Sequence, residues 1–236
     1  MRLSPVTLVI LCAVAALVAI GVTDQILPAA DPRTVEMRPW IAARALGITA
    51  YLLLALEVGL GLLLSHPRNT AEWRTTRQVL PWHEMVTVFT GAFLVLHIVL
   101  LSIDPYANVG IVGALVPGFS QFRPVAVGLG TVALYAMIFT AATAKWTRLL
   151  PAGWWLKVHR VAAVTFLLAW VHAVLAGTDS GALTPLYLAT GLPILAGVGH
   201  RWWTARSRPL RPTPVVDASE APIGRPQPVP VLVEES

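Results

Sequence analysis

The sequence predicts an all-α fold, a polytopic membrane bundle of six transmembrane helices. Of its 236 residues, 56% are hydrophobic and only 12% are charged, whereas soluble domains carry roughly 25% charged residues. The charged residues lie mostly between long apolar runs, and each run approaches the roughly 20 residues that a helix needs to cross a bilayer core. Tryptophans lie near the ends of these runs, where membrane proteins place them.

Six apolar segments are each long enough to predict one transmembrane helix. They span residues 5–22, 41–64, 82–102, 125–144, 154–177 and 182–199. The first resembles a secretory signal peptide in position, but only Arg2 precedes its apolar stretch and no small-residue cleavage site follows it. We therefore interpret it as an uncleaved first helix.

The basic residues predict the orientation of these helices. They are concentrated in the connections after the second and fourth segments and in the stretch after the sixth: Arg68, Arg74, Arg77, Lys145, Arg148, Lys157, Arg201, Arg206, Arg208 and Arg211. Because loops rich in Arg and Lys remain in the cytoplasm, we expect a multi-pass protein of the cell membrane with both termini cytoplasmic. The lipid bilayer is its expected surrounding.

Composition divides the chain and excludes several kinds of site. We expect a first helix and outer loop over 1–40, a transmembrane core over 41–200, and a disordered proline-rich cytoplasmic tail over 201–236. The net charge of +5 lies at helix ends, so it does not indicate a nucleic-acid partner. The single cysteine, Cys12, excludes cysteine-ligated zinc and iron–sulfur sites. The chain has no Gly-rich nucleotide-binding motif.

Four of the six histidines lie within two predicted helices. His83 and His97 are in the third segment, and His159 and His172 are in the fifth. Ionisable groups are costly inside a membrane and usually functional there. A single such histidine would more often be a neutral residue hydrogen-bonded to a neighbouring helix. Two pairs in two helices favour a functional role.

The spacing of the histidines predicts two levels in the membrane. His83 and His97 are separated by about 21 Å along a helix, and His159 and His172 by about 19.5 Å. The two helices run in the same direction, so His83 and His159 should lie near the cytoplasmic face, and His97 and His172 near the outer face. Each level then offers two neutral imidazoles, which suit the two axial positions of a haem iron.

One angular detail leaves two alternatives open. Fourteen residues at roughly 100° each return His97 to within about 40° of the helix face of His83. Thirteen residues place His172 about 140° from the face of His159 on a straight helix. No proline lies between them. Either the two haems are rotated relative to each other or the fifth helix departs from ideal winding.

These patterns resemble a known family. The spacings H-x13-H and H-x12-H, the stretch Leu156-Lys157-Val158-His159-Arg160, and the segments beginning at Arg44 and Gly177 are similar to the ferric reductase-like transmembrane domain. This superfamily includes ferric reductases, NADPH oxidases and the haem subunit of bacterial methionine sulfoxide reductase systems. The resemblance covers roughly residues 41–200.

The resemblance implies a cofactor and a set of partners. It implies an inner b-type haem (heme b) on His83 and His159 and an outer one on His97 and His172. Electrons would pass from the cytoplasmic side to an external acceptor. Because only a short tail follows the sixth segment, the electron donor should be a separate flavoprotein or a quinol.

Several charged residues have a functional and a structural interpretation. Arg44 is expected to bind a haem propionate through a two-pronged hydrogen bond, the alternative being an arginine that reaches the membrane interface. Arg123 is a weaker candidate for the same role. Glu57 could serve a proton path or a quinone site, although a neutral carboxyl bonded to a neighbour is favoured. Three further polar residues are expected at the membrane interface: Glu84, His66 and His200.

We therefore expect an oxidoreductase component that transfers electrons to ferric chelates, to an external reductase partner or to dioxygen. Nothing in the sequence indicates acid–base or nucleophilic catalysis. One alternative keeps the haem but makes the chain a membrane anchor subunit, which links the quinone pool to a soluble reductase. Another is a transporter that uses the histidines for protons or metal ions.

Overall fold

A computed structural model describes residues 32–65, 72–151 and 154–206, together with Thr7, Ile10 and Val14. These three single residues are helical. The rest of the predicted first segment, with Cys12, lies outside the described residues. The same holds for His66 and for the proline-rich stretch after residue 206.

The described part of the chain is all-helical and contains no β-strand. In chain order its helices are α1 (Pro32–Leu64), α2 (Glu72–Ile103), α3 (Gly110–Leu115), α4 (Pro124–Lys145), a 3₁₀ turn (Thr147–Leu149), α5 (Trp155–His159), α6 (Val161–Ala176) and α7 (Ser180–Arg206).

Five stretches of this described part are long and apolar enough to cross a membrane. They are Val35–Leu64, Thr76–Ile103, Pro124–Lys145, Trp155–Ala176 and Ser180–Thr204. Each contains most or all of one of the second to sixth predicted segments, so the prediction of a multi-pass helical membrane protein is confirmed for these five. The first predicted span lies outside the described residues, and the count of six stays a prediction.

The helices are longer than the apolar segments that predicted them. Helix α1 begins at Pro32 rather than at residue 41, α2 begins at Glu72 rather than at 82, and α7 continues to Arg206. Apolar composition reports only the length that can lie in hydrocarbon, whereas helical hydrogen bonding continues into the polar turns beyond it. The short helix α3 was not predicted.

Two buried clusters hold the bundle together. Helix α1 packs along α2, α4 packs along α6, and α6 also contacts α1 and α7. The central cluster joins α1, α6 and α7 through Tyr51, Leu54, Ala55, Val58, Phe166 and Tyr187. The second cluster joins the start of α1 to α3 and α4. It contains Trp40, whose buried ring lies 5.2 Å from that of Phe122 between ring centroids.

The fifth predicted helix is interrupted directly after His159. Helix α5 ends at His159 and α6 begins at Val161, with a turn at Arg160. The backbone N–H of Ala163 donates to the Arg160 carbonyl at 3.1 Å, a three-residue bond that winds the chain more tightly than an α-helix. Of the two alternatives left open by the sequence, departure from ideal winding is therefore observed.

Candidate functional site

His83 and His159 are brought together from α2 and α5. Their ring centroids are 6.3 Å apart and the ring planes make an angle of 75°. Imidazole nitrogens bind metal ions at about 2.0–2.1 Å, and adding about 1.1 Å from nitrogen to ring centre on both sides gives about 6 Å. The separation of the two rings therefore fits one metal ion between them.

His97 and His172 line one cavity between α2 and α6. Its walls are mainly apolar. The cavity therefore presents two imidazoles within an apolar lining, as the site of an apolar cofactor with a metal centre requires.

Three of the four imidazoles are oriented by backbone carbonyl groups of a neighbouring helix. The Nδ1 atom of His83 lies 3.0 Å from the Glu57 oxygen, that of His97 lies 2.6 Å from the Ala43 oxygen, and that of His172 lies 2.7 Å from the Ala126 oxygen. A carbonyl can only accept, so each Nδ1 must carry the hydrogen. Each Nε2 then keeps its lone pair, which is the arrangement of a metal-ligating histidine.

Glycines make room for these bonds. A β-carbon on Gly47 would lie 2.8 Å from Cε1 of His97, and one on Gly130 would lie 2.6 Å from Nδ1 of His172. Both separations are shorter than real β-carbons adopt. Each glycine comes four positions after the residue whose carbonyl accepts the bond, so it lies one turn further along the same helix face. The imidazole occupies the space that any larger residue would fill.

The third glycine of this kind leaves more space. Gly61 follows Glu57 by four residues, and its added β-carbon would lie 3.6 Å from Cε1 of His83, which is ordinary van der Waals contact. An alanine there would be accommodated, unlike one at Gly47 or Gly130.

His159 is the exception among the four histidines. Its Nδ1 is buried and has no hydrogen-bond partner among the described residues. The Trp155 indole packs beside it, with the two ring centroids 5.3 Å apart.

The donor set fits a haem better than a bare metal ion. Among the described residues, no group of three or more His, Cys, Asp or Glu side chains converges as a metal site. A haem iron takes four nitrogens from the macrocycle and needs only two axial ligands from the protein. The two imidazole pairs meet that requirement, and one of them, His97 with His172, lines the apolar cavity.

Arg44 lines the same cavity as His97 and His172, as expected for a residue that meets a cofactor carboxylate. Its guanidinium forms an ion pair with Asp179, which the sequence did not predict, and lies 5.9 Å from the centre of the Trp40 ring. Arg123, the weaker candidate, instead donates to the carbonyl groups of Leu175 (2.7 Å) and Gly177 (3.2 Å) at the end of α6.

The remaining polar candidates lie apart from the cavity. Glu57 Oε1 accepts a hydrogen bond from the Thr87 hydroxyl at 2.8 Å, whereas its Oε2 is buried without a partner among the described residues. Glu84 and His200 are exposed, in keeping with the interface positions expected for them.

The sequence contained an unused signal for the glycine positions. Gly47 and Gly61 are fourteen residues apart, the same spacing as His83 and His97 on the helix that packs against them. Equal spacing on two packed helices indicates that each glycine faces one histidine.

Comparison with known proteins agrees with this geometry. The model of the family described as "Ferric reductase like transmembrane component" matches residues 46–170. The chain belongs to this family. The match contains His83, His97 and His159 and ends two residues before His172. No curated protein and no solved structure matches the chain. Ferric reductase-like domains generally bind haem, and membership implies electron transfer across a membrane.

Proposed function

We propose that this ferric reductase-like protein transfers electrons across the membrane through two b-type haems. One haem would be held by His83 and His159 and the other by His97 and His172. The observation that carries the proposal is a set of three hydrogen bonds from Nδ1–H to backbone carbonyl groups. These bonds leave Nε2 free to bind a metal on His83, His97 and His172.

Each haem would supply a one-electron iron couple. The protein's own contribution is to fix the imidazoles before they bind. The ring of His97 is held in one rotamer by its bond to the Ala43 carbonyl and by the space beside Gly47 that it fills. Ala126 and Gly130 hold the ring of His172 in the same way. Between the two levels, the buried Phe166 and Tyr51 rings stack at 6.1 Å and exclude water from the centre of the bundle.

The basic residues support an orientation for this pathway. The exposed Arg148 lies in the connection from α4 to α5, and the exposed Lys157 lies in α5, two residues before His159. Because such connections favour the cytoplasm, the haem on His83 and His159 is proposed to be the inner one, with the termini cytoplasmic and the protein in the cell membrane. The haem on His97 and His172 would be the outer one.

Donor and acceptor follow from this orientation. A separate flavoprotein or a quinol would deliver electrons at the cytoplasmic side, and an external acceptor would receive them. Ferric chelates, an external reductase partner and dioxygen are the candidate acceptors.

Arg44 is proposed to bind a propionate of the outer haem. It lines the cavity of His97 and His172, and its fork of N–H groups can serve two carboxylates at once. Asp179 occupies one side of that fork and would hold it in place for the second carboxylate.

Absorbance of the purified protein tests the proposal. Dithionite-reduced minus oxidised spectra should show low-spin b-type haem, and the pyridine haemochrome should give two haems per chain. One haem per chain would contradict the two-haem pathway. No haem, after expression with adequate haem supply, would overturn the electron-transfer function.

A second candidate, a haem-containing anchor subunit that exchanges electrons with the quinone pool, is favoured by one observation. The unpartnered Oε2 of Glu57 lies on the residue whose carbonyl holds His83, and a quinol hydroxyl would satisfy it. Reduction of the haems by a short-chain quinol without any flavoprotein, lost in Glu57→Leu but retained in Glu84→Leu, would identify this function. Unchanged quinol reduction in Glu57→Leu would exclude that site.

A further inference from the structure

The chain between α2 and α4 folds along the side of α4 before α4 begins. The Thr131 hydroxyl donates to the Ala114 carbonyl at 2.9 Å, and the Tyr135 hydroxyl donates to the Leu115 carbonyl at 2.5 Å. Thr131 follows Pro124, the first residue of α4, by seven positions, which is about 10 Å along the helix axis. Long side chains on a helix lean toward its N-terminal end, so the Tyr135 hydroxyl reaches a similar level. The end of α3 is therefore beside the body of α4 rather than beside its first residue.

After α3 the chain returns toward the beginning of α4. A β-carbon on Gly128, one turn into α4, would lie 3.1 Å from the backbone nitrogen of Gly118, so the returning chain packs directly against α4. A β-carbon on Gly113 would lie 2.9 Å from Cα of Ser120, so α3 and the returning chain also pack against each other. Residues 110–123 thus form a hairpin that runs along α4 and back, which we call the α3 hairpin.

Hydrogen bonds serve the backbone at the tip of the α3 hairpin. Two carbonyl groups there accept the hydroxyl groups from α4. The N–H of Val116 donates to the Val112 carbonyl at 2.8 Å, and the N–H of Phe119 donates to the Val116 carbonyl at 3.2 Å. Pro117 has no N–H to satisfy. Backbone groups within hydrocarbon must be hydrogen-bonded inside the protein, and these groups of the tip meet that condition.

The α3 hairpin has two apolar faces with different surroundings. On one face, Ala114 is buried and lines the histidine cavity between α2 and α6. On the other face, the side chains of Val112 and Phe119 are 57% and 65% exposed. On α4 itself, Val132 is also exposed, directly after the threonine that bonds to the hairpin. The exposed face of the hairpin therefore adjoins an exposed apolar face of a membrane-spanning helix.

We propose that the α3 hairpin is a re-entrant element, which enters the bilayer beside α4 and places its exposed face against lipid acyl chains. Its depth along α4 supports this, because Pro124–Lys145 is one of the stretches able to cross a membrane. Its composition supports it as well, because no Asp, Glu, Lys or Arg occurs between Asp104 and Arg123. The hairpin would then form the wall between the acyl chains and the cavity of His97 and His172. The inference concerns the contact with lipid and does not depend on haem.

The depth of a nitroxide label at the tip tests the proposal. Val116→Cys is labelled in a Cys12→Ala background, and the full-length protein is reconstituted in phosphatidylcholine vesicles. Power-saturation EPR compares collisions of the label with oxygen, which concentrates in hydrocarbon, and with a nickel chelate, which stays in water. Labels at Val132→Cys and Val125→Cys are the matched depth references, since both positions are exposed on α4 and lie about 10 Å apart along it.

The label at position 116 should lie within about 5 Å, one helical turn, of the depth of the Val132 reference. It should be reached by oxygen and shielded from the nickel chelate. Nickel accessibility equal to that of the Val125 reference, or greater, would place the hairpin outside the hydrocarbon and overturn the inference. Low accessibility to both reagents would also overturn it, because protein rather than lipid would then cover this face. Val112→Cys is the second probe if a label at the tip disturbs folding, and its depth should fall between the two references.

Discussion

Gly130 lies against the imidazole of His172 so closely that a β-carbon there would be 2.6 Å from Nδ1. The ring can reach the Ala126 carbonyl only because this position has no side chain. A glycine inside a helix costs about 1 kcal/mol relative to alanine, so its presence here is explained by the contact rather than by local structure.

The first prediction follows from that contact. Gly130→Ala should displace His172 and weaken binding of the outer haem by about 10–100-fold, the usual effect of losing a partner that orients a metal ligand. Haem per chain after purification measures it. Gly61→Ala is the matched control, because its β-carbon would lie 3.6 Å from the His83 ring and should leave haem content unchanged. Equal haem loss in the two variants would contradict the argument.

The second prediction concerns the ligands. Replacing His97 or His172 by alanine should remove one of the two haems and leave the other with its parental spectrum, because the two pairs are separate. His200→Ala, at an exposed position on α7, should retain both. Haem stoichiometry and reduced-minus-oxidised spectra give the answer. Full haem content in His172→Ala would show that this residue is not a ligand.

The third prediction uses the ion pair at the cavity. Arg44→Gln removes a positive charge near the outer haem and should lower its midpoint potential, since electron gain is then less favoured. Asp179→Asn removes the opposing negative charge and should raise the same potential. Redox titration of both variants tests the sign, with Arg148→Gln, in the 3₁₀ turn that follows α4, as control. Shifts in the same direction would contradict a direct electrostatic effect.

The fourth prediction concerns the central cluster. Phe166 is fully buried, and Phe→Ala substitutions in packed cores typically cost about 3–5 kcal/mol. Phe166→Ala should therefore lower the free energy of unfolding in detergent by that order. Leu167→Ala, on the neighbouring exposed position, is expected to have little effect. Thermal denaturation of both variants under the same conditions provides the comparison.

The sequence predicted the parts of this architecture that depend on pattern. The five described spans follow from apolar length, and the approach of His83 to His159 follows from spacing and from the shared direction of two helices. The propionate role of Arg44 stays a prediction, and its ion pair with Asp179 was not foreseen because ion pairs between distant helix ends depend on tertiary packing.

What escaped prediction depends on contacts between helices. The turn at Arg160 interrupts the fifth predicted segment without any proline or glycine at that point, so helix propensity does not mark it. The burial of Trp40 against Phe122 was likewise not predicted, because it depends on a contact between distant parts of the chain. Predicting which carbonyl bonds which imidazole requires the register of two packed helices. The sequence of one helix does not give that register.

The acceptors for three histidines are main-chain oxygens, and every amino acid presents the same oxygen there. A substitution at Ala43, Glu57 or Ala126 that preserves the helix therefore leaves the carbonyl acceptor in place. Substitution affects these histidines instead through the residue one turn further on, where Gly47 and Gly130 leave room for an imidazole that a larger residue would not. A change at either glycine alters the position of a histidine while leaving both the histidine and its acceptor unchanged.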